Sequence, residues 1–181
     1  RYPLTELSCA IIAVLAVKCY GLTFEALAIA GLGWSIVAIF VTDLEHQIIL
    51  DEVQLSTAAF GILYGIENNI PVSDMVTGAI VGLLIGLTLK YGFLYFRNKD
   101  GLGLGDVKFL AAAGIWLADG ANFVPFLFFS GILGIITGTA WRMIHKQEHF
   151  PFGPSLALAL LLCVLIPETA NQFWKLYGLL N

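Results

Sequence analysis

Long apolar runs alternate with short polar breaks along the whole chain. The runs lie at Leu4 to Tyr20, Phe24 to Thr42, Val53 to Ile66, Met75 to Phe96, Val107 to Leu117, Phe123 to Ile144 and Ser155 to Ile166. A helix needs about 20 apolar residues to cross the hydrocarbon of a bilayer; four of the runs approach that length, while the third, fifth and seventh fall short. A short helix is tolerable in a membrane where protein or a watery cavity covers its ends. The pattern therefore predicts an all-α, polytopic transmembrane helix bundle of about seven spans with a cavity among them. Gly78, Gly82 and Gly86 recur every four residues in the fourth run, and Gly131, Gly134 and Gly138 do much the same in the sixth. Such stripes let helices approach closely. Phe126, Phe128 and Phe129 read as packing or lipid-facing residues.

Composition agrees with a lipid environment. The 181 residues are 59% hydrophobic and 12% charged, against about 25% charged in soluble domains. No long linker, low-complexity tract or clear repeat divides the chain, so residues 1–181 read as a single transmembrane domain. A net charge of -4 offers no basic surface for nucleic acid. Cys9, Cys19 and Cys163 are scattered without CxxC spacing, which indicates neither a disulfide framework nor a metal site; they read as buried small hydrophobes. The first run lacks a basic leader and more spans follow it, so it reads as a membrane helix rather than a cleaved signal.

Basic residues set the orientation, because loops rich in Lys and Arg stay cytoplasmic. With seven crossings, Arg1, Arg97, Lys99, Lys108, Arg142 and Lys146 share one side, Lys18 and Lys175 share the other, and Lys90 lies within a span. The basic side then holds the amino end, Asp43 to Glu52, Arg97 to Asp106 and His145 to Pro154, with the carboxyl end opposite.

Two acids stand out on that side. A charge at or near hydrocarbon costs about 2.5 to 3.5 kcal/mol on insertion scales, so an acid placed there faces a site rather than lipid. Asp43 ends the second run and opens the polar break Asp43-Leu-Glu-His-Gln-Ile-Ile-Leu-Asp51. Asp106 closes Gly101-Leu-Gly-Leu-Gly-Asp106, just ahead of the fifth run. Its glycines can adopt backbone angles closed to other residues and admit a peptide without hindrance, and the helix start favours a negative charge. A P-loop would need Lys and Ser or Thr at positions where this segment has neither. Two carboxylates in a partly dry site share a proton; one can then activate water while the other polarises a peptide carbonyl, the division of labour in aspartic proteases. Asp51 and Glu52 suit the positive end of the third helix. His46, His145 and His149 lack ligand spacing and read as solvated, with His46 close enough in sequence to tune Asp43.

These residues resemble the peptidase region of the type IV prepilin peptidases, bacterial membrane aspartic proteases with a GxGD motif, over nearly the whole chain. The resemblance rests on Arg1-Tyr-Pro-Leu-Thr-Glu-Leu7, Asp43 to Asp51, Gly103-Leu-Gly-Asp106-Val-Lys108 and Phe150-Pro-Phe-Gly-Pro154, in that order and spacing. It implies Asp43 and Asp106 as the catalytic pair, with Gly103 and Gly105 shaping the second motif at the substrate and Asp51 as a secondary candidate there. It also implies a prepilin or pseudopilin substrate whose basic leader ends in glycine, and a multi-pass enzyme of the bacterial inner membrane with its site facing the cytoplasm. The apolar helix behind the cut would dock in lipid. The family's first motif usually carries Pro just before its closing Asp, where this chain has Leu50. Many members add an upstream helix, a tetracysteine zinc module and methylation of the new amino terminus with S-adenosylmethionine. The chain begins at Arg1 without Met and reads as a domain of a longer parent, for which methyl transfer stays open. No metal or cofactor is expected for peptide cleavage itself. Two other classes compete: a proton- or cation-coupled transporter using the paired aspartates, and a non-catalytic assembly subunit.

Overall fold

The computed structural model describes residues 2–97, 102–118, 120–145 and 150–166. Arg1, Lys99, Gly101, Lys146, His149 and Lys175 lie outside the described residues. The chain forms α1 (Tyr2–Tyr20), α2 (Phe24–His46), α3 (Asp51–Glu67), α4 (Val72–Arg97), α5 (Leu104–Leu117), α6 (Gly120–His145) and α7 (Gly153–Leu165). Each apolar run of the sequence is one helix. α1, α2, α4 and α6 contain stretches long and apolar enough to cross a membrane.

The short helices are the inner ones. α5 has 14 residues and α7 has 13, so each rises only about 20 Å where the hydrocarbon is about 30 Å thick. Both are clad by their neighbours: Phe109, Ala113, Leu156 and Leu160 are fully buried. α1, in contrast, turns Leu4, Leu7, Ile11, Val14 and Leu15 outward, the apolar exterior expected in lipid.

Glycine sets how closely α4 and α5 meet. A Cβ on Gly78 would land on the Gly114 carbonyl and one on Gly82 on the Leu110 carbonyl. The stripe in α6 is used differently: Gly134 and Gly138 receive the rings of Phe152 and Phe150, while Gly131 faces open space. Polar tethers add direction. Trp116 Nε1 donates to the Thr57 carbonyl at 2.8 Å, Trp34 Nε1 donates to the Cys9 carbonyl at 3.0 Å, and the Thr137 and Ser155 hydroxyls lie 2.8 Å apart between α6 and α7.

Two expectations change. α2 does not end at Thr42 but runs to His46, so Asp43 is a helix residue rather than the start of a loop. The helix stops only where Gln47 takes a left-handed conformation at φ 56° and its N–H caps the Asp43 carbonyl. The cysteines are not uniformly buried, since Cys19 is exposed on α1 while Cys9 and Cys163 are half-buried. The aromatics of α6 divide as expected between packing and the outer surface, with Phe126 fully buried and Phe128 43% exposed.

Candidate active site

Asp43 lies near the end of α2 and keeps only 4% of its surface exposed. Its Oδ2 accepts the N–H of Gly153 at 2.8 Å. Gly153 opens α7, where the first N–H groups have no partner within the helix and point at an anion with the positive end of the helix dipole behind them. Space there is tight. A Cβ on Gly153 would stand 2.6 Å from Asp43 Oδ2 and 3.1 Å from Ile49 Cδ1.

Asp106 sits in the first turn of α5, and its Oδ2 accepts the Gly103 N–H at 3.1 Å. The carboxylate therefore caps its own helix while standing at its mouth. Gly103 has φ -64° and ψ 152°, and Gly21 is the one glycine with positive φ among the described residues. Gly103 and Gly105 thus do not supply unusual backbone angles; they supply room. Gly105 lies against Ile49, whose Cβ would be 3.4 Å from a Cβ placed there.

Ile49 is the common neighbour. It belongs to the segment between α2 and α3, is buried, and touches both Gly105, next to Asp106, and Gly153, which holds Asp43. Gln54 Nε2 donates to the Ile49 carbonyl at 3.2 Å and to the Gly105 carbonyl at 3.3 Å. From α4, Lys90 Nζ reaches the Leu102 carbonyl at 3.0 Å. The ends of α2, α5 and α7 thus converge, with residues 43 and 106 close enough for their charges to interact. Asp106 lies outside the long apolar spans. Burial, and then the charge of Asp43, push its carboxyl up to about 6; the Gly103 N–H and the Lys90 ammonium pull the other way.

Asp51 stands apart from this pair. At the start of α3 its carboxylate takes both oxygens to Lys108 Nζ, at 2.8 and 2.9 Å, and the two side chains are 64% and 53% exposed. Glu45, His46 and Glu52 are exposed beside it, giving the same end of the bundle an acidic rim. Leu50, where a proline was expected, has φ -67°, the angle a proline ring fixes. Among the described residues no three His, Cys, Asp or Glu side chains are grouped to hold a metal.

Gly153, Ile49, Gln54 and Lys90 were not named as site residues from the sequence. Lys90 and Gln54 carried the only available signal, a polar side chain in an apolar helix. Gly153 lay in a recognisable turn, but nothing local tied it to an acid 110 positions earlier.

Known proteins are similar to this chain in sequence. The model of the type IV leader peptidase family matches residues 29–139, which include both acids. A prepilin leader peptidase/N-methyltransferase of Pseudomonas putida is 34% identical over 172 residues, 91% of this chain and 58% of that protein. One of Aeromonas salmonicida is 32% identical over 179 residues, 96% of this chain and 61% of that protein. One of Stutzerimonas stutzeri is 31% identical over 166 residues, 88% of this chain and 56% of that protein. The chain spans about three fifths of the length of these curated relatives. No solved structure matches it. With well over half of its length inside the family model, and relatives of this identity along almost all of it, the chain belongs to the type IV leader peptidase family.

Proposed function

We propose that this chain is the peptidase domain of an aspartic endopeptidase that cuts the basic leader from type IV prepilins or pseudopilins at the cytoplasmic face of the bacterial inner membrane. Asp43 and Asp106 are its catalytic dyad. The observation that carries the reading is the convergence of the two acid-bearing segments at one end of a bundle in this family, with Asp43 almost wholly buried and Asp106 raised by its own burial and then by the charge of Asp43. The pair shares one proton and titrates as a unit. The protonated member polarises the scissile carbonyl while the ionised member takes a proton from the attacking water. Gly103 and Gly105 leave the backbone beside Asp106 open to an extended peptide. Glu45 and Glu52 draw the basic leader to the rim, which Asp51 borders in its pairing with Lys108.

The relatives are also named N-methyltransferases, a chemistry for which S-adenosylmethionine is the donor. The residues described here do not fit that donor. A cavity of about 630 Å³ between α1 and α2 is walled by Ala13, Val17, Leu27 and Trp34 among others, with Thr23 and Glu67 at it and neither Asp43 nor Asp106 in its lining. It offers few partners for a sulfonium, a carboxylate or ribose hydroxyls, and no step is assigned to methyl transfer.

The test uses the purified protein in liposomes with a prepilin. Asp43→Asn and Asp106→Asn keep shape and remove the ionisable group, so each is expected to reduce cleavage by about 10³-fold or more. Cleavage by either variant at the wild-type rate overturns the dyad.

A further inference from the structure

We infer that Gln54 is the positioning residue that fixes the distance between the two acid-bearing segments. The inference rests on the reading of Asp43 and Asp106 as the dyad.

The argument starts from an anomaly of composition. Gln54 lies in the first turn of α3, flanked by Val53 and Leu55, and is only 5% exposed. Burying an amide is unfavourable unless its hydrogen bonds are made. Here its NH2 group spends both hydrogens on main-chain carbonyls from two different segments, Ile49 in the segment that follows Asp43's helix and Gly105 directly before Asp106. These residues are 56 positions apart in sequence and are otherwise joined at this level by the packing of Ile49 on Gly105. Packing alone is tolerant of sliding; a two-pronged donor is directional.

The strut acts on both acids through short links. Ile49 is in contact range of Gly153, whose N–H holds the Asp43 carboxylate. Gly105 is covalently next to Asp106, whose own carboxylate is turned back onto Gly103 N–H. A shift at Gln54 therefore changes where both carboxyl groups stand without touching substrate. Small misplacements of reacting groups have large kinetic effects, so Gln54 governs turnover rather than binding.

Two substitutions of similar length remove the donors: Gln54→Met, which is apolar, and Gln54→Glu, which presents oxygen in place of the NH2 group. Both variants of the full chain in liposomes are compared with wild type in backbone amide exchange and in prepilin cleavage. Exchange in residues 102–108 and 47–50 is expected to quicken by at least about tenfold, with residues 24–40 of α2 unchanged. The kcat is expected to fall by about 10- to 100-fold with KM within about twofold of wild type. Wild-type exchange in these segments in both variants overturns the strut, whatever the kinetics, and a rise in KM at constant kcat overturns it in favour of substrate contact. If one variant fails to fold, the other decides on the same criteria. If wild type itself cleaves no prepilin while the exchange pattern appears, the strut stands and the proposed reaction falls.

Discussion

At the residue scale, the proposed chemistry depends on the unequal settings of two aspartates. Asp43 is clamped by a helix-start N–H that also fixes where it points. A Cβ at position 153 would press on Asp43 Oδ2 and on Ile49 together, so Gly153→Ala is expected to lower kcat by about 10- to 100-fold. Its stability, followed by thermal unfolding, should fall by about 1–3 kcal/mol as for other overpacked sites. Asp106 gives a pH signature. Its carboxyl titrates near 6 in the fold against an ordinary 3.8. The fold therefore favours its protonated form: the stabilising contribution is complete below 3.8 and is lost as pH rises through about 6. Where the shared proton is needed for catalysis, kcat/KM in a pH series should show an alkaline limb with an apparent pKa near 6 that belongs to the pair. A profile flat from pH 5 to about 9 would contradict this division of labour.

At the element scale, the seven helices were legible because each is an apolar run, and lipid demands that runs become helices. What the pattern could not give was the end of α2. Asp43, Glu45 and His46 read as the opening of a loop, yet the helix carries them for another turn because Asp43 is buried against α7 and Gln47 can close the helix in a left-handed turn. The glycines teach a related lesson. Their spacing was visible, but Gly78 and Gly82 meet carbonyls of α5, whereas Gly131 meets nothing within 4 Å. Gly78→Ala is expected to destabilise by about 1–3 kcal/mol. Gly131→Ala should be neutral or up to about 1 kcal/mol stabilising, since alanine is the better helix former. Equal effects in thermal unfolding would show that α4 and α5 are not in close contact. Leu50 departs from the family's usual proline in identity but not in backbone angle. Leu50→Pro should therefore keep activity and add about 0.4–1 kcal/mol by restricting the unfolded chain; a loss of cleavage would show that the Asp43–Asp51 segment needs freedom at that residue.

At the scale of the whole molecule, function follows from where helix ends meet. α2, α5 and α7 bring together the segments that carry residues 43, 106 and 153, through the Gly153 N–H on Asp43 and the packing of Ile49 on Gly105 and Gly153. Asp43 and Asp106 stood out in the sequence because an acid beside an apolar run is rarely idle, and the fold carries both to the same end of the bundle. The partners that hold them, Gly153 and Ile49, did not, because their contacts cross about half the chain and leave no periodic trace. Asp51 was legible as an acid at a motif's end; its engagement with Lys108 on α5 was not.

The convergence of Asp43 and Asp106 can be measured without reference to any substrate. With Cys9, Cys19 and Cys163 replaced, Asp43→Cys and Asp106→Cys would be combined in one chain and treated in membranes with a short bifunctional maleimide. Asp51→Cys with Lys108→Cys serves as the positive control, since those side chains touch across α3 and α5. The expected result is an internal cross-link in the 43/106 double variant as in the control, and none in the single variants. A double variant that stays uncross-linked while the control reacts would place the two acids apart and contradict the shared site.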